Sequence, residues 1–169
     1  MELIYNQRKI PKDQWRYGLR SSAAVGCGWI ATYNALGLMG YYVEPEALID
    51  YYEKQLPLIH GNTGTNVLGP AVCMKQMGFP TRVSAERKEF DALAKEADVC
   101  ILFYRWTKKW RYGAHFVAVE YRDGRFIGYN TFRDSSGPDQ YGESLDGFLK
   151  EKKFFGPVLI AVKDKRSHR

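Results

Sequence analysis

The sequence predicts an α+β domain, with helices in its first half and an antiparallel sheet in its second half. Two observations predict this order: helical patterns fill residues 27–77, and apolar runs with strand-like alternation follow from residue 99. At 169 residues, of which 45% are hydrophobic and 26% charged, the chain is long enough for one domain with a core. We expect a single domain over residues 1–169, with a frayed tail from residue 163 to residue 169.

Three helices are predicted in the first half of the chain, each bounded by residues that favour helix ends. One has a proline at its start, and glycine follows the other two. Their spans are residues 27–39, 45–56 and 66–77. A short charged helix is expected over residues 88–97, and another after Ser144 as its N-cap.

Five strands are predicted in the second half, over residues 81–85, 99–106, 115–121, 125–131 and 157–162. The Asp123-Gly124 pair lies between two alternating runs and is typical of a two-residue hairpin turn. This turn places Val117 opposite Asn130. Because strand side chains alternate between faces, His115 and Asn130 are then diagonal neighbours on one face, roughly 7–8 Å apart at the backbone.

The His115 and Asn130 pair is a candidate for acid–base chemistry. A ring N–H of His115 can donate to the side-chain oxygen of Asn130, which fixes the tautomer and leaves the other ring nitrogen free as a base. Asp134, further along the same face, is the alternative partner. A core histidine beside an unrelated polar residue gives the same pattern, so both interpretations stay open.

Cys27 lies between two glycines at the start of the first predicted helix. Backbone N–H groups at a helix N-terminus stabilise a thiolate, and a nearby imidazolium adds to this, so we expect a pKa below that of a free thiol. The Cys27 N–H is also a candidate donor to an oxyanion. The alternative is a cysteine that packs as a small apolar residue, which we predict for Cys73 and Cys100.

The composition limits the other classes of site. Three cysteines without a signal peptide argue against a disulfide framework and favour a cytoplasmic protein. The cysteines and histidines lack zinc-ligand spacing, and neither His60 nor His168 lies in a motif, so we expect no metal and no cofactor. No apolar run approaches the roughly 20 residues of a membrane span, so no membrane partner is expected.

The segment YRWTKKWRY, residues 104–112, interleaves basic and aromatic residues in a chain whose formal net charge is +6. Such a pattern is able to bind single-stranded nucleic acid, and a basic nucleic-acid-binding module is one alternative for the function. We favour a solvated hairpin loop and do not expect a nucleic-acid partner. If His115 is catalytic, Trp106 and Trp110 lie beside the site and are candidates to line a substrate pocket.

A cysteine at a helix start, a histidine on a strand and an asparagine on the paired strand, in this order, resemble papain-like cysteine peptidases. The closest likeness is to the bacterial double-glycine leader peptidase family and its stand-alone relatives. The segments that carry the likeness, in chain order, are NQRKIPKDQW, GCGWIATYNAL, GNTGTNVLGPAVCMKQMGF, ADVCILFYRW and GAHFVAVEYRDGRFIGYN. The resemblance implies a papain-like fold, with an N-terminal helical lobe packed on a C-terminal antiparallel sheet.

The resemblance also implies roles for four residues. These are nucleophile for Cys27, base for His115, orienting residue for Asn130 and oxyanion donor for Gln7. Many leader peptidases have aspartate in the third place, and asparagine is the papain-like choice. Gln7 lies further from the cysteine than is usual in the family, so Ser21 and Ser22 remain alternatives for the oxyanion donor.

The implied function is a thiol hydrolase that cleaves a peptide or amide bond in a peptide or protein substrate. Two alternatives use the same fold. An acyltransferase passes the acyl group to an amine or a thiol instead of water, and a catalytically inactive domain binds peptides without cleaving them. The sequence does not indicate an oligomeric state.

Overall fold

The computed structural model describes residues 2–55 and 65–166, and within these residues the fold is α+β, as predicted. The helices are α1 (Ser22–Val25), α2 (Cys27–Leu38), α3 (Pro45–Gln55), α4 (Gly69–Gln76), α5 (Arg87–Glu96) and α6 (Leu145–Glu151), with a 3-10 turn at Gln7–Lys9. The strands are β1 (Arg16–Tyr17), β2 (Arg20–Ser21), β3 (Thr81–Ser84), β4 (Val99–Lys108), β5 (Arg111–Arg122), β6 (Arg125–Tyr129), β7 (Asp139–Gly142) and β8 (Phe155–Val162). No helix in the described ranges has the length and apolarity needed to cross a bilayer.

A six-stranded antiparallel sheet forms the central layer, with the strand order β3-β8-β4-β5-β6-β7. One face packs on the N-terminal helices through Phe103, Phe116 and Ile127, whose neighbours include Trp29 and Ile30 of α2. The other face packs on α5 and α6 through side chains that alternate with the first set along the strands, among them Leu102, Val117, Val119 and Phe126. The helical lobe therefore lies on one side of the sheet, and two later helices cover the other side.

The predicted boundaries of α2, α3 and α5 agree with the structure to within one residue. Helix α2 begins at Cys27, as expected, and the Ser144 hydroxyl caps α6 by accepting from the Gly147 N–H. Helix α4 begins three residues later than predicted, because the Asn66 side chain accepts from the Leu68 N–H and forms a turn before the helix. The short strands β1, β2 and β7 have two to four residues and no apolar alternation by which a sequence pattern would reveal them.

Strands β4 and β5 extend further than the sequence indicates. Most of segment 104–112, expected as a loop, is paired strand, with Tyr104 opposite His115 and Lys108 opposite Arg111. A two-residue turn at 109–110 closes this hairpin. The outer residues are exposed on both faces, so they lack the apolar alternation that marks a strand half-buried in a sheet.

The β5–β6 hairpin has the predicted register, with Arg122 opposite Arg125 and Val119 opposite Gly128. The strand predicted over residues 125–131 is two residues too long, because β6 ends at Tyr129. Asn130 has a φ of 67°, in the left-handed region, which ends the extended conformation and its alternation of faces.

The segment expected to be a frayed tail makes contacts over the four residues that the structure describes. The Tyr41 hydroxyl donates to Asp164 at 2.7 Å, and the Asp164 N–H donates to Asp98 at 2.7 Å. The Arg166 guanidinium lies over the Tyr41 ring, 4.4 Å from its centroid. Residues 167–169 lie outside the described residues.

Candidate active site

Cys27 is the first residue of α2 and follows a break at Gly26, where φ is −81° and ψ is 3°. In a continuous helix, the Cys27 N–H would donate to the carbonyl of Ala23. That carbonyl instead accepts from Nε2 of Gln7 at 3.3 Å. The N–H groups of Cys27 and Gly28 face the Cys27 sulfur. The break therefore creates a helix N-terminus with N–H donors directed at the thiol.

The break requires glycine at position 26. A Cβ there would lie 2.7 Å from the Trp29 indole nitrogen and 2.7 Å from the Ser22 carbonyl oxygen. The indole N–H donates to the Ser22 hydroxyl at 3.1 Å, a buried contact that spans the turn. Ser22, one of the alternatives for the oxyanion donor, is thus bonded to Trp29, and Ser21 precedes α1 without making a side-chain capping bond.

The His115 ring connects β5 to the loop after β6. Its Nε2 lies 2.6 Å from the backbone carbonyl oxygen of Asn130. Because a carbonyl oxygen only accepts hydrogen bonds, Nε2 must carry the hydrogen, and Nδ1 of the neutral ring is left able to take a proton. The sequence predicted the side-chain oxygen of Asn130 as the partner, so the residue is the expected one but the atom is different. The alternative partner, Asp134, is exposed.

The left-handed backbone of Asn130 explains this change of atom. The predicted pairing assumed an extended strand through residue 130, whereas the chain turns after Tyr129. The freed side chain pairs with Gln7: its Oδ1 accepts from the Gln7 N–H at 2.8 Å, and its Nδ2 donates to Gln7 Oε1 at 3.0 Å. Asparagine is among the few residues with a side chain that adopt this conformation readily.

The N-terminal segment places Gln7 beside Asn130 and the residue that precedes the helix break, although the β1–β2 hairpin separates Gln7 from Cys27 in the chain. Gln7 is buried, and its amide bridges Asn130 and the Ala23 carbonyl. Further contacts hold the segment in place: Asn6 Nδ2 donates to the carbonyls of Arg133 and Ser135, and the backbone of Ile4 exchanges two hydrogen bonds with the Asn34 side chain on α2. The separation of Gln7 from Cys27 along the sequence therefore does not separate the two residues in the fold.

The thiol and the imidazole are both held in their neutral forms. Burial raises the pKa of Cys27, although the N–H groups of Phe116, Cys27 and Gly28 act in the opposite direction. Burial also lowers the pKa of His115; the Asn130 carbonyl opposes this shift and the charge of Arg8 adds to it. The ion pair and lowered thiol pKa expected from the sequence are therefore wrong for this structure, because desolvation outweighs the helix N-terminus.

The strand that carries His115 passes beside Cys27. The Phe116 N–H, one residue after His115, faces the Cys27 sulfur. In the part of the chain that the structure describes, the hydrogen bonds of the His115 ring include the one to Asn130 and none to Cys27. The start of α2, which carries Cys27, and the strand that carries His115 are thus adjacent in the fold.

Three residues near the site were not predicted from the sequence. Arg8 lowers the pKa of His115 through its charge. The Thr65 hydroxyl donates to the Tyr17 hydroxyl at 3.3 Å, and a charge on Cys27 contributes to the raised pKa of Tyr17, after burial. Each contact joins segments that are far apart in the chain, so no local motif marks these residues.

The other cysteines lie in the environments predicted for them. Cys73 and Cys100 are buried and unpaired, whereas Cys27 is partly exposed. Burial raises the pKa of the Cys73 thiol to about 12 and raises that of Cys100 as well. The described ranges contain no group of three or more metal-ligating side chains, and His60 and His168 lie outside those ranges.

Comparison with known proteins gives a likeness of fold. No protein-family model matches the sequence, and no curated protein matches it. The chain is similar to the crystal structure of the peptidase domain of Streptococcus ComA, a bi-functional ABC transporter involved in a quorum-sensing pathway. The TM-score is 0.53 at 14% identity, over 80% of this chain and 90% of that chain. The predicted resemblance is confirmed at the level of fold: the chain has the fold of a double-glycine leader peptidase domain.

Proposed function

We propose that the protein is a papain-like thiol hydrolase that cleaves a peptide or amide bond, with Cys27 as nucleophile and His115 as general base. The observation that carries the proposal is the hydrogen bond from His115 Nε2 to the Asn130 carbonyl. It leaves Nδ1 as the ring atom able to accept a proton, on the strand whose next residue faces the Cys27 sulfur. The fold likeness to a peptidase domain supports the reaction class by analogy.

The reaction begins from a neutral thiol and a neutral imidazole. As the Cys27 sulfur bonds to the substrate carbonyl carbon, the thiol proton passes to His115 Nδ1 and the carbonyl oxygen becomes an oxyanion. The imidazolium then protonates the leaving amine, and the C–N bond breaks to leave a thioester on Cys27. Water then attacks the thioester carbonyl as His115 takes its proton. The C–S bond breaks, the imidazolium returns the proton to the Cys27 sulfur, and the acid is released.

The oxyanion has two candidate backbone donors, the N–H groups of Cys27 and Gly28 at the start of α2. Gln7 instead acts as a positioning residue in the resting site, because its side-chain amide is shared between Asn130 and the Ala23 carbonyl. Its two hydrogen bonds to Asn130 hold the backbone whose carbonyl orients His115. For Gln7 Nε2 to reach an oxyanion, it must first leave the Ala23 carbonyl.

The acyltransferase alternative shares every step up to the thioester and differs only in whether water or another nucleophile accepts the acyl group. The inactive, peptide-binding alternative is favoured by the raised pKa of Cys27. Formation of a thioester on Cys27 separates this alternative from the two catalytic ones.

The test is acylation by p-nitrophenyl acetate, followed by mass spectrometry of the intact protein and of its peptides. We expect one acetyl group per chain, on Cys27, and a rate at least a hundredfold lower in His115→Ala. The buried thiols of Cys73 and Cys100 serve as controls within the same molecule and should remain unmodified. Equal acylation of Cys27 with and without His115, or no release of p-nitrophenolate that depends on Cys27 and His115, would rule out the proposed dyad.

A further inference from the structure

The outer half of the β4–β5 hairpin projects beyond the sheet as a two-stranded ribbon. Strand β8 pairs with β4 only as far as Arg105, and β6 pairs with β5 only from Ala118. Within the described ranges, residues 106–113 therefore pair only with one another. Trp110 at the turn is 100% exposed and Tyr112 is 84% exposed. Such a ribbon gains little stability from packing, so its exposed side chains suggest a role in binding.

The ribbon carries an uncompensated positive charge. Its cations are Lys108, Lys109 and Arg111, with Arg105 at its base, and residues 99–119 contain no aspartate or glutamate. The salt bridges among the described residues involve none of these four side chains. Lys108 and Arg111 lie directly opposite each other, an arrangement of like charges that destabilises a strand pair. An anionic ligand would relieve this repulsion.

Two of these cations, Lys108 and Arg111, lie on the same face of the hairpin as His115. The pairs Tyr104–His115, Trp106–Gly113 and Lys108–Arg111 follow one another at intervals of two residues, so their side chains share a face. A Cβ on Gly113 would lie 2.5 Å from the Trp106 indole, which shows that the indole lies across this glycine. The face thus presents, in order, an imidazole, an indole and a pair of cations. At roughly 3.3 Å per residue, Arg111 is about 13 Å from His115 along the strand.

We propose that the edge of β5 that borders this face binds the substrate peptide as an extended strand, and that Lys108 and Arg111 select an acidic side chain four residues from the scissile bond. This rests on the proposed function, which puts the scissile bond at Cys27 and His115. An extended peptide advances by the same distance per residue as the strand, so its fourth residue reaches Lys108 and Arg111 and its second reaches the Trp106 indole. The edge of β5 from residue 111 to residue 115 has no strand partner on its β6 side in the described ranges and offers backbone pairing to such a peptide, whose path then leads to Cys27 beside the Phe116 N–H.

The test is a binding measurement on the Cys27→Ser variant, so that no turnover occurs. Fluorescence anisotropy measures the binding of two sets of peptides. The first set has Glu four residues before or four residues after the central amide bond, and the matched set has Gln at the same position. The double variant Lys108→Glu/Arg111→Glu should bind the Glu peptide about tenfold more weakly, and added salt should weaken binding to the unmodified ribbon. A peptide with Lys at that position should recover binding to the double variant.

The matched control is Arg122→Glu/Arg125→Glu, which reverses the cross-strand cation pair beside the turn at the other end of β5. It should bind the Glu peptide as the parent does. Equal losses in both double variants, or equal binding of the Glu and Gln peptides, would overturn the proposal.

The same variants are also tested for binding to two other anionic ligands, a single-stranded oligothymidylate and phosphatidylserine vesicles. Binding of either that depends on Lys108 and Arg111, without discrimination between the peptides, would also overturn the proposal. Because the assay does not depend on acylation, failure of Cys27 to acylate refutes the proposed function without affecting the binding result.

Discussion

The two sides of His115 differ in how their polar groups are satisfied. On one side, Asn130 and Gln7 are buried and joined by two hydrogen bonds, and the Asn130 carbonyl holds the His115 ring. On the other side, the Lys108 and Arg111 side chains are exposed and have no acidic partner among the described residues. The first side holds the His115 ring in one orientation, and the second is the side that we propose binds an acidic side chain of the substrate. The predictions below test the first side, since the binding experiment above tests the second.

The largest expected effect concerns the reactivity of Cys27 at neutral pH. Removal of the thiol proton by His115 should make alkylation by iodoacetamide nearly independent of pH between the lowered pKa of His115 and the raised pKa of Cys27. His115→Ala should lose this plateau, with a rate roughly a hundredfold lower near pH 7. Mass spectrometry of the labelled Cys27 peptide measures the rate. A profile that rises with pH like that of a free thiol in both proteins would contradict the proposed base.

A smaller effect is expected from the backbone of Asn130. Valine is strained at a φ of 67°, so Asn130→Val should displace the carbonyl, lower Cys27 acylation roughly tenfold and destabilise the fold by about 1–3 kcal/mol. Asn130→Gly accepts this φ and keeps the carbonyl, although it loses the bonds to Gln7. It should therefore retain more activity than the valine variant. If glycine proves the more damaging, the side chain rather than the carbonyl orients His115.

The break before Cys27 is expected to depend on its glycine. A Cβ at position 26 meets the Trp29 indole and the Ser22 carbonyl, so Gly26→Ala should destabilise the protein by about 1–3 kcal/mol. The matched control is Gly137→Ala, where a Cβ meets nothing within 4 Å. Urea denaturation gives both free energies of unfolding. Equal values for the two variants would mean that the turn adapts to a side chain.

The smallest expected effect is a dependence of stability on acid pH. The folded-state pKa of His115 is lowered, so below about pH 6.5 the unfolded chain binds a proton that the folded chain does not. Stability should fall as the pH drops through this range, by at most about 1.4 kcal/mol per pH unit. The His115→Gln variant should lack this contribution. Parallel urea titrations of both proteins measure it, and identical slopes would place His115 in a solvent-like environment.

The sequence predicted the site best where a local rule acted. The Asp123-Gly124 turn fixed the register of the β5–β6 hairpin, and the helix pattern fixed the position of Cys27. These features depend on alternation, turn chemistry and helix periodicity, all of which span only a few residues. They were enough to bring His115 and residue 130 together.

The sequence failed where distant segments decide the outcome. The pairing of Asn130 with Gln7 joins residues 123 positions apart, and it accompanies the left-handed turn that presents the carbonyl instead of the side chain. The sign of the Cys27 pKa shift depends on burial by the assembled domain, which outweighs the local helix N-terminus. Neither effect leaves a signal in the residues around it.

The most direct test of the central claim is the protonation state of the His115 ring in solution. Nitrogen-15 NMR of the labelled imidazole, assigned by comparison with His115→Gln, distinguishes the two tautomers and follows the titration. The structure predicts a neutral ring at pH 7 with its hydrogen on Nε2, unprotonated Nδ1, and a pKa below 6.5. A hydrogen on Nδ1, or a ring already charged at pH 7, would contradict the account of His115 as a base oriented by the Asn130 carbonyl.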